Sequence, residues 1–393
     1  MKVVVLALNR GRGSGEIARQ HASALHERGH AVTVVHAGPG TPIPGIEHRE
    51  VRLHAPILPV HEYLPGAGTL QRPVAEMPAT EALAYLDDYV TALDEATGPD
   101  TAILLGHHAN ITAAAVAEVA RRRDLPYALF LHGTALEPRL LGGYPDEVWA
   151  RIEAAVLGAA GILVTTEYVR DALVLPLIPV PRERFLVLPC GVDVDRFRPG
   201  RVDEVRSRYE LGDPFVICPG AVTVLKGTHN VVEATKEYAE LAETIFIGDG
   251  PLRPVLEARI GSRGRFLGYV SDDDRTWLIN AASILTAAPE KLEHFGMIYV
   301  EALAGGTVPI AYEGGGVDSI VTEGLGILTE RDPRALGRAI RDVLAEPERI
   351  EAYALAGRHA AVERYASERL GRRFVSWLEA LAAYRTSTPT EQR

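Results

Sequence analysis

Short apolar runs rich in β-branched residues alternate along the chain with longer amphipathic stretches. This alternation is typical of parallel sheets with crossover helices on both faces. In the first half the runs predict strands at Val3–Leu8, Ala31–His36, Thr101–Leu105, Ala128–Leu131, Gly161–Thr165 and Phe185–Leu188. The second half repeats the pattern, with strands predicted at Phe215–Cys218, Thr244–Ile247, Arg265–Phe266, Ser283–Thr286, Val308–Ala311 and Ile327–Leu328. The sequence therefore predicts an α/β protein of two Rossmann-like, doubly wound units.

A proline-rich segment, Ile178–Gly200, separates the two sets of strands and is the expected hinge. We place the first domain at residues 1–188 and the second at 189–370. Residues 371–393 should form a C-terminal helix that returns to the first domain, followed by a disordered tail over Arg385–Arg393. Parallel sheets bind ligands outside the carboxyl ends of their strands, so the two domains are expected to face a central cleft.

One segment, His54–Thr80, shows weak periodicity and many prolines. It is long for a structureless connection in a compact domain. We interpret it either as a functional loop region or as a poorly ordered one.

Composition narrows the classes of partner. The 393 residues carry a formal charge of −11, which gives no basic footprint for nucleic acid and argues against strong binding to anionic lipid. The apolar run Ala172–Val180 is short and broken by prolines, so the sequence predicts no transmembrane segment and at most peripheral membrane contact. Two cysteines, outside any close pair, predict neither a disulfide framework nor a structural zinc site. The expected location is the cytoplasm.

The stretch from Pro289 to Gly316 carries the most chemical information. Glu293 and Glu301 flank Gly296, which opens an apolar helix. Backbone N–H groups at a helix start have no intrahelical acceptor and favour anions, while carboxylates accept hydrogen bonds from hydroxyls. Glu301 lies in an apolar run, where an unpaired carboxylate would be costly. This combination suits a sugar joined to a diphosphate.

Other strand-to-helix loops offer weaker signals. The glycine-rich loop from Asn9 to Glu16 permits close backbone approach to an anion, although a simple tight turn explains it equally well. Lys226 can neutralise a diphosphate, or it can be a solvated surface residue. The acids Asp272–Asp274 follow Ser271 and are better explained as a helix cap than as metal ligands. Histidines end two strands of the first half, at His107-His108 and at His132.

These residues resemble the retaining glycosyltransferases of family 4, which have the GT-B architecture. The family signature of a glutamate, seven residues and a second glutamate, with Phe-Gly after the first, is matched by Glu293, Phe295, Gly296 and Glu301. The resemblance extends in order along most of the chain. It includes Arg28–Val35, His132-Gly133, Gly191–Asp193, Arg196-Phe197, Lys226-Gly227 and Gly248–Leu252.

The resemblance implies roles for individual residues. Glu293 would contact hydroxyls of the donor sugar, Glu301 the ribose, and His132 the region of the reaction centre. Lys226 would neutralise charge on the leaving diphosphate. Backbone around the helix start and the first glycine-rich loop would hold the phosphates, and the base would lie near Tyr269. The donor-binding set is Gly13, Ser14, Gly15, Lys226, Tyr269, Phe295, Gly296, Met297, Ile298 and Glu301, with Glu293, His132 and Lys226 as the catalytic set.

The chain departs from the family pattern at one position where the family has a positive charge. The family commonly has an arginine at the position of Ala221, where it pairs with the diphosphate. A charge-assisted hydrogen bond contributes about 1.5–3 kcal/mol, so its loss would weaken leaving-group stabilisation unless another cation replaces it. We hypothesise that Arg10 or Arg12 compensates.

The resulting expectation is a retaining glycosyltransferase that needs no metal and no cofactor. It would move a sugar from a uridine- or guanosine-diphosphate donor to a hydroxyl acceptor, which the first domain would bind. A catalytically silent nucleotide-sugar-binding protein of the same fold is the alternative, for which Ala221 is the hint. A nicotinamide-dependent dehydrogenase would need an acid after the second strand, where His36 stands instead. Oligomeric state, pathway and acceptor identity are not encoded in any motif that we find.

Overall fold

The computed structural model describes residues 1–9, 14–38, 42–63, 68–200 and 202–384; the side chains of Ser14, Val202 and Tyr384 are excepted. Three residues of the predicted phosphate site, Arg10, Arg12 and Gly13, lie outside this range, as does the predicted tail Arg385–Arg393. The chain divides into two compact units. The first contains residues Met1–Pro189 and Glu368–Arg393, and the second contains Cys190–Ser367. The sequence analysis put these divisions after Leu188 and after Leu370.

The first unit is built on a parallel sheet with the strand order β3-β2-β1-β6-β7-β8-β9. Its inner strands are apolar on both faces, and Val3–Leu8 of β1 are at most 5% exposed, because helices cover both sides. The strands are β1 (Lys2–Asn9), β2 (Ala31–Ala37), β3 (Glu47–Glu50), β4 (Leu58–Val60), β5 (Gln71–Pro73), β6 (Thr101–His107), β7 (Tyr127–Leu131), β8 (Gly161–Val164) and β9 (Phe185–Val187). The helices are α1 (Ser14–Glu27), α2 (Ala79–Ala96), α3 (Ile111–Arg123), α4 (Glu137–Leu140) and α5 (Asp146–Gly158).

The second unit repeats the design, with the strand order β12-β11-β10-β13-β14-β15 and every pair parallel. Its strands are β10 (Phe215–Pro219), β11 (Glu243–Ile247), β12 (Gly264–Gly268), β13 (Ile284–Ala287), β14 (Val308–Tyr312) and β15 (Ile327–Thr329). Its helices are α6 (Val202–Tyr209), α7 (Thr228–Ala234), α8 (Arg253–Ile260), α9 (Asp272–Ala281), α10 (Met297–Gly305), α11 (Pro333–Leu344) and α12 (Pro347–Ala360). The predicted fold class, α/β with two Rossmann-like parallel sheets, is confirmed.

A last helix, α13 (Ser367–Tyr384), packs against the first unit from Glu368 onward. The ring of Phe374 stacks on His21 of α1 with 4.0 Å between centroids, and Glu379 pairs with His30 at 3.0 Å. At Gly161 an added Cβ would lie 2.7 Å from Trp377, so glycine there allows the helix to approach β8 closely.

The segment His54–Thr80 contains regular secondary structure. Within its described residues this segment contains the parallel pair β4 and β5, with Leu58 opposite Gln71 and Val60 opposite Pro73. The proline-rich sequence hides the pair because each strand is only three residues long. The side chain of Asn9 donates to Pro59 O at 3.0 Å, which attaches the pair to the end of β1.

In each sheet the chain reverses direction of winding once. The order reverses between β1 and β6 in the first unit and between β10 and β13 in the second. Crossover connections leave in opposite directions at such a point, so the loops after the two strands separate and leave a crevice at their carboxyl ends. The loops that carry Lys226 and Glu293 follow β10 and β13, which places both at the reversal of the second sheet.

Candidate active site

Lys226 and Glu293 meet at the carboxyl end of the second sheet. The Nζ atom of Lys226 donates to Glu293 Oε1 at 2.9 Å, and the two side chains are 45% and 25% exposed. The predicted phosphate ligand and the predicted sugar ligand thus neutralise each other. Because both are partly exposed, a ligand can reach the pair from solvent.

The loop that carries Lys226 is fixed by close backbone contacts. Gly227 has φ 62°, and a Cβ atom there would lie 1.7 Å from Ala288 O. The N–H of Glu290 donates to Leu225 O at 3.0 Å, and the side chain of Asn230 donates to Ala288 O at 3.1 Å. A larger residue at position 227 could not make this approach, so the glycine keeps the two loops together.

The triple glycine supports the loop that carries Glu293. The N–H of Gly316 donates to Glu293 O at 2.7 Å, and an added Cβ at this position would lie 2.0 Å from His294 O. Asp318 accepts a hydrogen bond from Gly314 N at 2.6 Å and so holds the turn. The glycine run is therefore a backbone platform beneath Glu293.

Helix α10 begins directly after this loop. Gly296 precedes its first residue with φ 97°, a left-handed conformation that favours glycine. Phe295 is buried, with 5% exposure, whereas Met297 and Ile298 are only half-buried. The first N–H groups of a helix have no intrahelical acceptor, so those at residues 297 and 298 are suited to an anion.

Glu301 lies inside α10 and is paired, as its apolar surroundings require. Its side chain is 11% exposed, and Arg275 of α9 donates from Nη1 to Oε1 at 3.2 Å and from Nη2 to Oε2. The apolar sequence around Glu301 predicted that a buried carboxylate there would be costly, but it did not identify Arg275 as the partner. No spacing rule connects two residues on different helices, although a search for the missing cation could have found it.

The other residues predicted for the donor site lie at the ends of strands and at the starts of helices. Tyr269 follows β12 and is 60% exposed. In the first unit, Gly15 lies in the first turn of α1 rather than in a loop, and Ser14 begins that helix. The acids Asp272–Asp274 open α9, where Ser271 Oγ accepts from Asp274 N at 3.0 Å. Asp273 and Asp274 also pair with Arg196 and Arg208, which supports the interpretation as a cap.

His132 belongs to a cluster of buried histidines at the carboxyl end of the first sheet. His107 Nδ1 lies 3.0 Å from His132 Nε2, and the His132 ring stacks on His108 with 4.2 Å between centroids. On the other side His108 contacts the His61 ring at 3.6 Å, and His61 Nδ1 lies 3.2 Å from the side-chain nitrogen of Asn110. The cluster was not predicted, because His61 is distant in sequence and reaches the others only through the loop after β4.

Burial keeps three of these rings, those of His61, His107 and His108, uncharged. It lowers the pKa of His61 and of His107 to about 3, and it lowers the pKa of His108 well below the ordinary value. His108 also has φ 75°, which is uncommon for a residue other than glycine, and such conformations concentrate at functional sites. These three residues therefore offer neutral imidazole rings, which suit hydroxyl groups better than phosphates.

Within the described residues, no group of three or more histidine, cysteine, aspartate or glutamate side chains is arranged to hold a metal ion. Over the same residues, no helix combines the length and apolar character that a membrane crossing requires.

Comparison with known proteins places these features in a family. Residues 12–191 match the model described as glycosyl transferase 4-like domain, and residues 203–360 match that of glycosyl transferases group 1. An alpha-D-kanosaminyltransferase of Streptomyces kanamyceticus is 30% identical over 55% of this chain and 58% of its own length. A D-inositol 3-phosphate glycosyltransferase of Xylanimonas cellulosilytica is 29% identical over 67% of this chain and 66% of its own length. The chain thus spans less than two thirds of either relative.

Solved structures agree on the fold. A sucrose-phosphate synthase from Thermosynechococcus elongatus superposes with a TM-score of 0.79 at 18% identity, over 98% of this chain and all of the other. The Anabaena protein HepE, in complex with UDP and glucose, gives a TM-score of 0.75 at 16% identity, over 97% of this chain and all of its own. The two family matches follow each other along the chain in the order of the two units, and the chain belongs to the family 4 glycosyltransferases with the GT-B fold.

Proposed function

We propose that this chain is a retaining, metal-independent glycosyltransferase that moves a hexosyl or related sugar from a nucleoside-diphosphate sugar to a hydroxyl acceptor. One observation carries the proposal: the Lys226–Glu293 pair lies in the two loops after β10 and β13, and the start of α10 follows directly. A cation, a carboxylate and helix N–H groups then converge at a sheet reversal. These are the groups that a sugar diphosphate needs.

Each group has a distinct task. Helix N–H groups at Met297 and Ile298 hold the diphosphate, and Lys226 leaves Glu293 to neutralise the charge that grows on it. Glu293 then accepts hydrogen bonds from hydroxyls of the donor sugar, and Glu301 accepts from the ribose. The loss of the Lys226 contact by Glu293 is compensated by these new donors.

The transfer breaks the bond between the anomeric carbon and the phosphate oxygen. The acceptor oxygen forms its bond to the same face of that carbon, and its proton passes to the leaving phosphate. Configuration is retained, and atoms and charges balance without a metal ion. From the family resemblance we propose that His132 contacts the donor sugar.

Metal independence is supported by the contacts of the acids at the start of α9, which are the alternative metal ligands in this unit. Asp273 and Asp274 pair with arginines and lie in the capped first turn of α9. These contacts are typical of a helix start and not of a metal-binding site. Lys226 supplies positive charge where a divalent ion would otherwise neutralise the diphosphate. The nucleotide sugar acts as a co-substrate, and no cofactor is required.

A thermal-shift screen with UDP- and GDP-linked sugars tests donor binding, since a ligand that binds the native state raises its melting temperature. A labelled donor and a panel of polyol and sugar acceptors then test turnover. NMR of the product should show the donor's anomeric configuration, and chelator should leave the rate unchanged. Inversion of configuration, or loss of activity in chelator with recovery on adding Mg²⁺, would contradict the corresponding part of the proposal.

A second candidate is a silent binder of nucleotide sugars in the cytoplasm, favoured only by Ala221 at the place of the family's arginine. Such a protein would show thermal stabilisation by the donor with neither hydrolysis nor transfer. The hypothesis that Arg10 or Arg12 replaces the missing charge stays a prediction: substituting each by alanine should weaken donor binding, and unchanged affinity in both variants would exclude it.

A further inference from the structure

The proposed contact of Glu301 with the ribose places two requirements on its carboxylate. A carboxylate that is 11% exposed and surrounded by buried apolar residues of α10 must keep its charge and also keep a fixed orientation if it is to bind two hydroxyls of a ribose. Without a fixed partner, a glutamate has three side-chain torsions to arrange, and each alternative orientation weakens the contact.

Arg275 is the residue that fixes it. Its guanidinium contacts both carboxylate oxygens, Nη1 to Oε1 and Nη2 to Oε2. This fork-to-fork arrangement fixes the carboxylate plane as well as its position, which a single lysine contact would not do. A carboxylate has about four acceptor sites, so the two contacts with Arg275 do not exhaust its capacity to accept hydrogen bonds from hydroxyls.

The backbone of Arg275 is itself held by the start of α9. The N–H of Arg275 donates to Ser271 O at 2.8 Å, and Ser271 caps the helix. The next residue, Thr276, is 1% exposed and its Oγ1 accepts from Arg196 Nε at 3.1 Å. The first turn of α9 is therefore anchored on both sides of Arg275, while the Arg275 side chain remains 31% exposed.

We propose that Arg275 is a positioning residue for the donor: it holds Glu301 so that the carboxylate recognises the 2′- and 3′-hydroxyls of a ribonucleoside diphosphate. This inference rests on the proposed function, in which Glu301 binds the ribose. Its consequence is discrimination, because the fixed carboxylate binds a ribose that has both hydroxyls and offers no matching contact to a sugar that lacks them.

The test compares binding of UDP and GDP with binding of their 2′,3′-dideoxy analogues, by calorimetry on the full chain. The wild-type protein should bind at least one ribonucleotide about tenfold or more tightly than its dideoxy analogue, which is the value of a charge-assisted hydrogen bond. In R275Q and in E301Q this preference should fall to about two- to threefold, with affinity for the dideoxy analogue unchanged. The double variant should behave like E301Q alone, because the arginine acts only through the glutamate.

R265Q is the matched control. Arg265 makes a similar bidentate contact with Glu243 in the same unit, at 2.6 and 3.0 Å. Its substitution should leave the ribose preference intact. If R275Q is too unstable to purify, the comparison of E301Q with R275Q/E301Q decides, since neither leaves a buried charge unpaired.

Three results would overturn the inference. R275Q could keep the full preference for the ribonucleotide, or it could weaken both ligands equally, which would show a contact with the phosphates or a merely structural role. A further difference between E301Q and the double variant would also count against it. Failure of the wild-type protein to bind any of these nucleotides would instead contradict the proposed function.

Discussion

The ammonium group of Lys226 lies 2.9 Å from the carboxylate of Glu293, and the two residues come from loops that follow different strands of one sheet. Both side chains are partly exposed, so the pair contributes no more than about 1 kcal/mol to the free energy of unfolding. The residues can therefore separate at little cost when a diphosphate and a sugar offer each of them a better partner.

This relationship predicts the effect of K226M. Removal of the cation should lower kcat for sugar transfer roughly 10- to 100-fold, because a charge-assisted contact of about 1.5–3 kcal/mol to the leaving diphosphate is lost. The melting temperature should change by no more than about 4 °C. Steady-state kinetics with labelled donor and a thermal melt measure the two effects.

K236M provides the matched control. Lys236 also pairs with a glutamate, Glu233, in the same unit, and its side chain is 51% exposed. Its substitution should change neither kcat nor donor affinity. Equal activity in K226M and K236M would show that Lys226 has no part in the transfer.

Gly227 should be intolerant of alanine for a reason that is independent of chemistry. A left-handed conformation costs a residue with a side chain about 1–3 kcal/mol, and at Gly227 the added Cβ would also lie 1.7 Å from Ala288 O. G227A should therefore lower the melting temperature and weaken donor binding, because the loops of Lys226 and Glu293 must move apart.

G324A separates the two effects. Gly324, in the same unit, has φ 80°, but a Cβ atom added there would meet nothing within 4 Å. G324A should show the conformational cost without the clash and should keep wild-type donor affinity. If the two variants lost the same stability and bound donor equally, close backbone approach at Gly227 would not matter for the site.

More of the fold than of the candidate site could be predicted from the sequence. Paired parallel strands can be predicted because strands buried on both faces must be apolar, as at Val3–Leu8, whereas the three-residue strand Leu58–Val60 is too short to produce a pattern. In the candidate site, local order in the sequence was enough to predict that Gly296 precedes a helix and that Glu301 lies inside it. Contacts between distant elements, such as Arg275 with Glu301 and His61 with His108, depend on packing that no spacing encodes.

The histidine cluster predicts how the first unit responds to acid. The pKa of His61 and of His107 is lowered from 6.5 to about 3 by burial, so between these values the unfolded chain binds protons that the folded chain does not. The contribution of each of these histidines to the free energy of unfolding is therefore fully present above pH 6.5. It falls by about 1.4 kcal/mol per pH unit as the pH decreases toward 3. Carboxylates such as Glu47 and Asp94, whose pKa is lowered from 4.5 and 3.8, contribute only at lower pH.

H107Q tests this account, since glutamine can still form a hydrogen bond to His132 but cannot be protonated. Between pH 7.5 and pH 5.0 the wild-type protein should lose about 2 kcal/mol more unfolding free energy than H107Q, as one histidine contributes that amount over the roughly 1.5 units below 6.5. Urea unfolding is followed by tryptophan fluorescence with Trp277, which lies in the second unit, replaced by phenylalanine in every variant. The signal then comes from Trp149 and Trp377 of the first unit. H359Q, at an exposed histidine of the second unit, should retain the wild-type pH dependence. If H107Q and H359Q lost the same stability on acidification, the burial of uncharged His107 would not be a source of acid sensitivity.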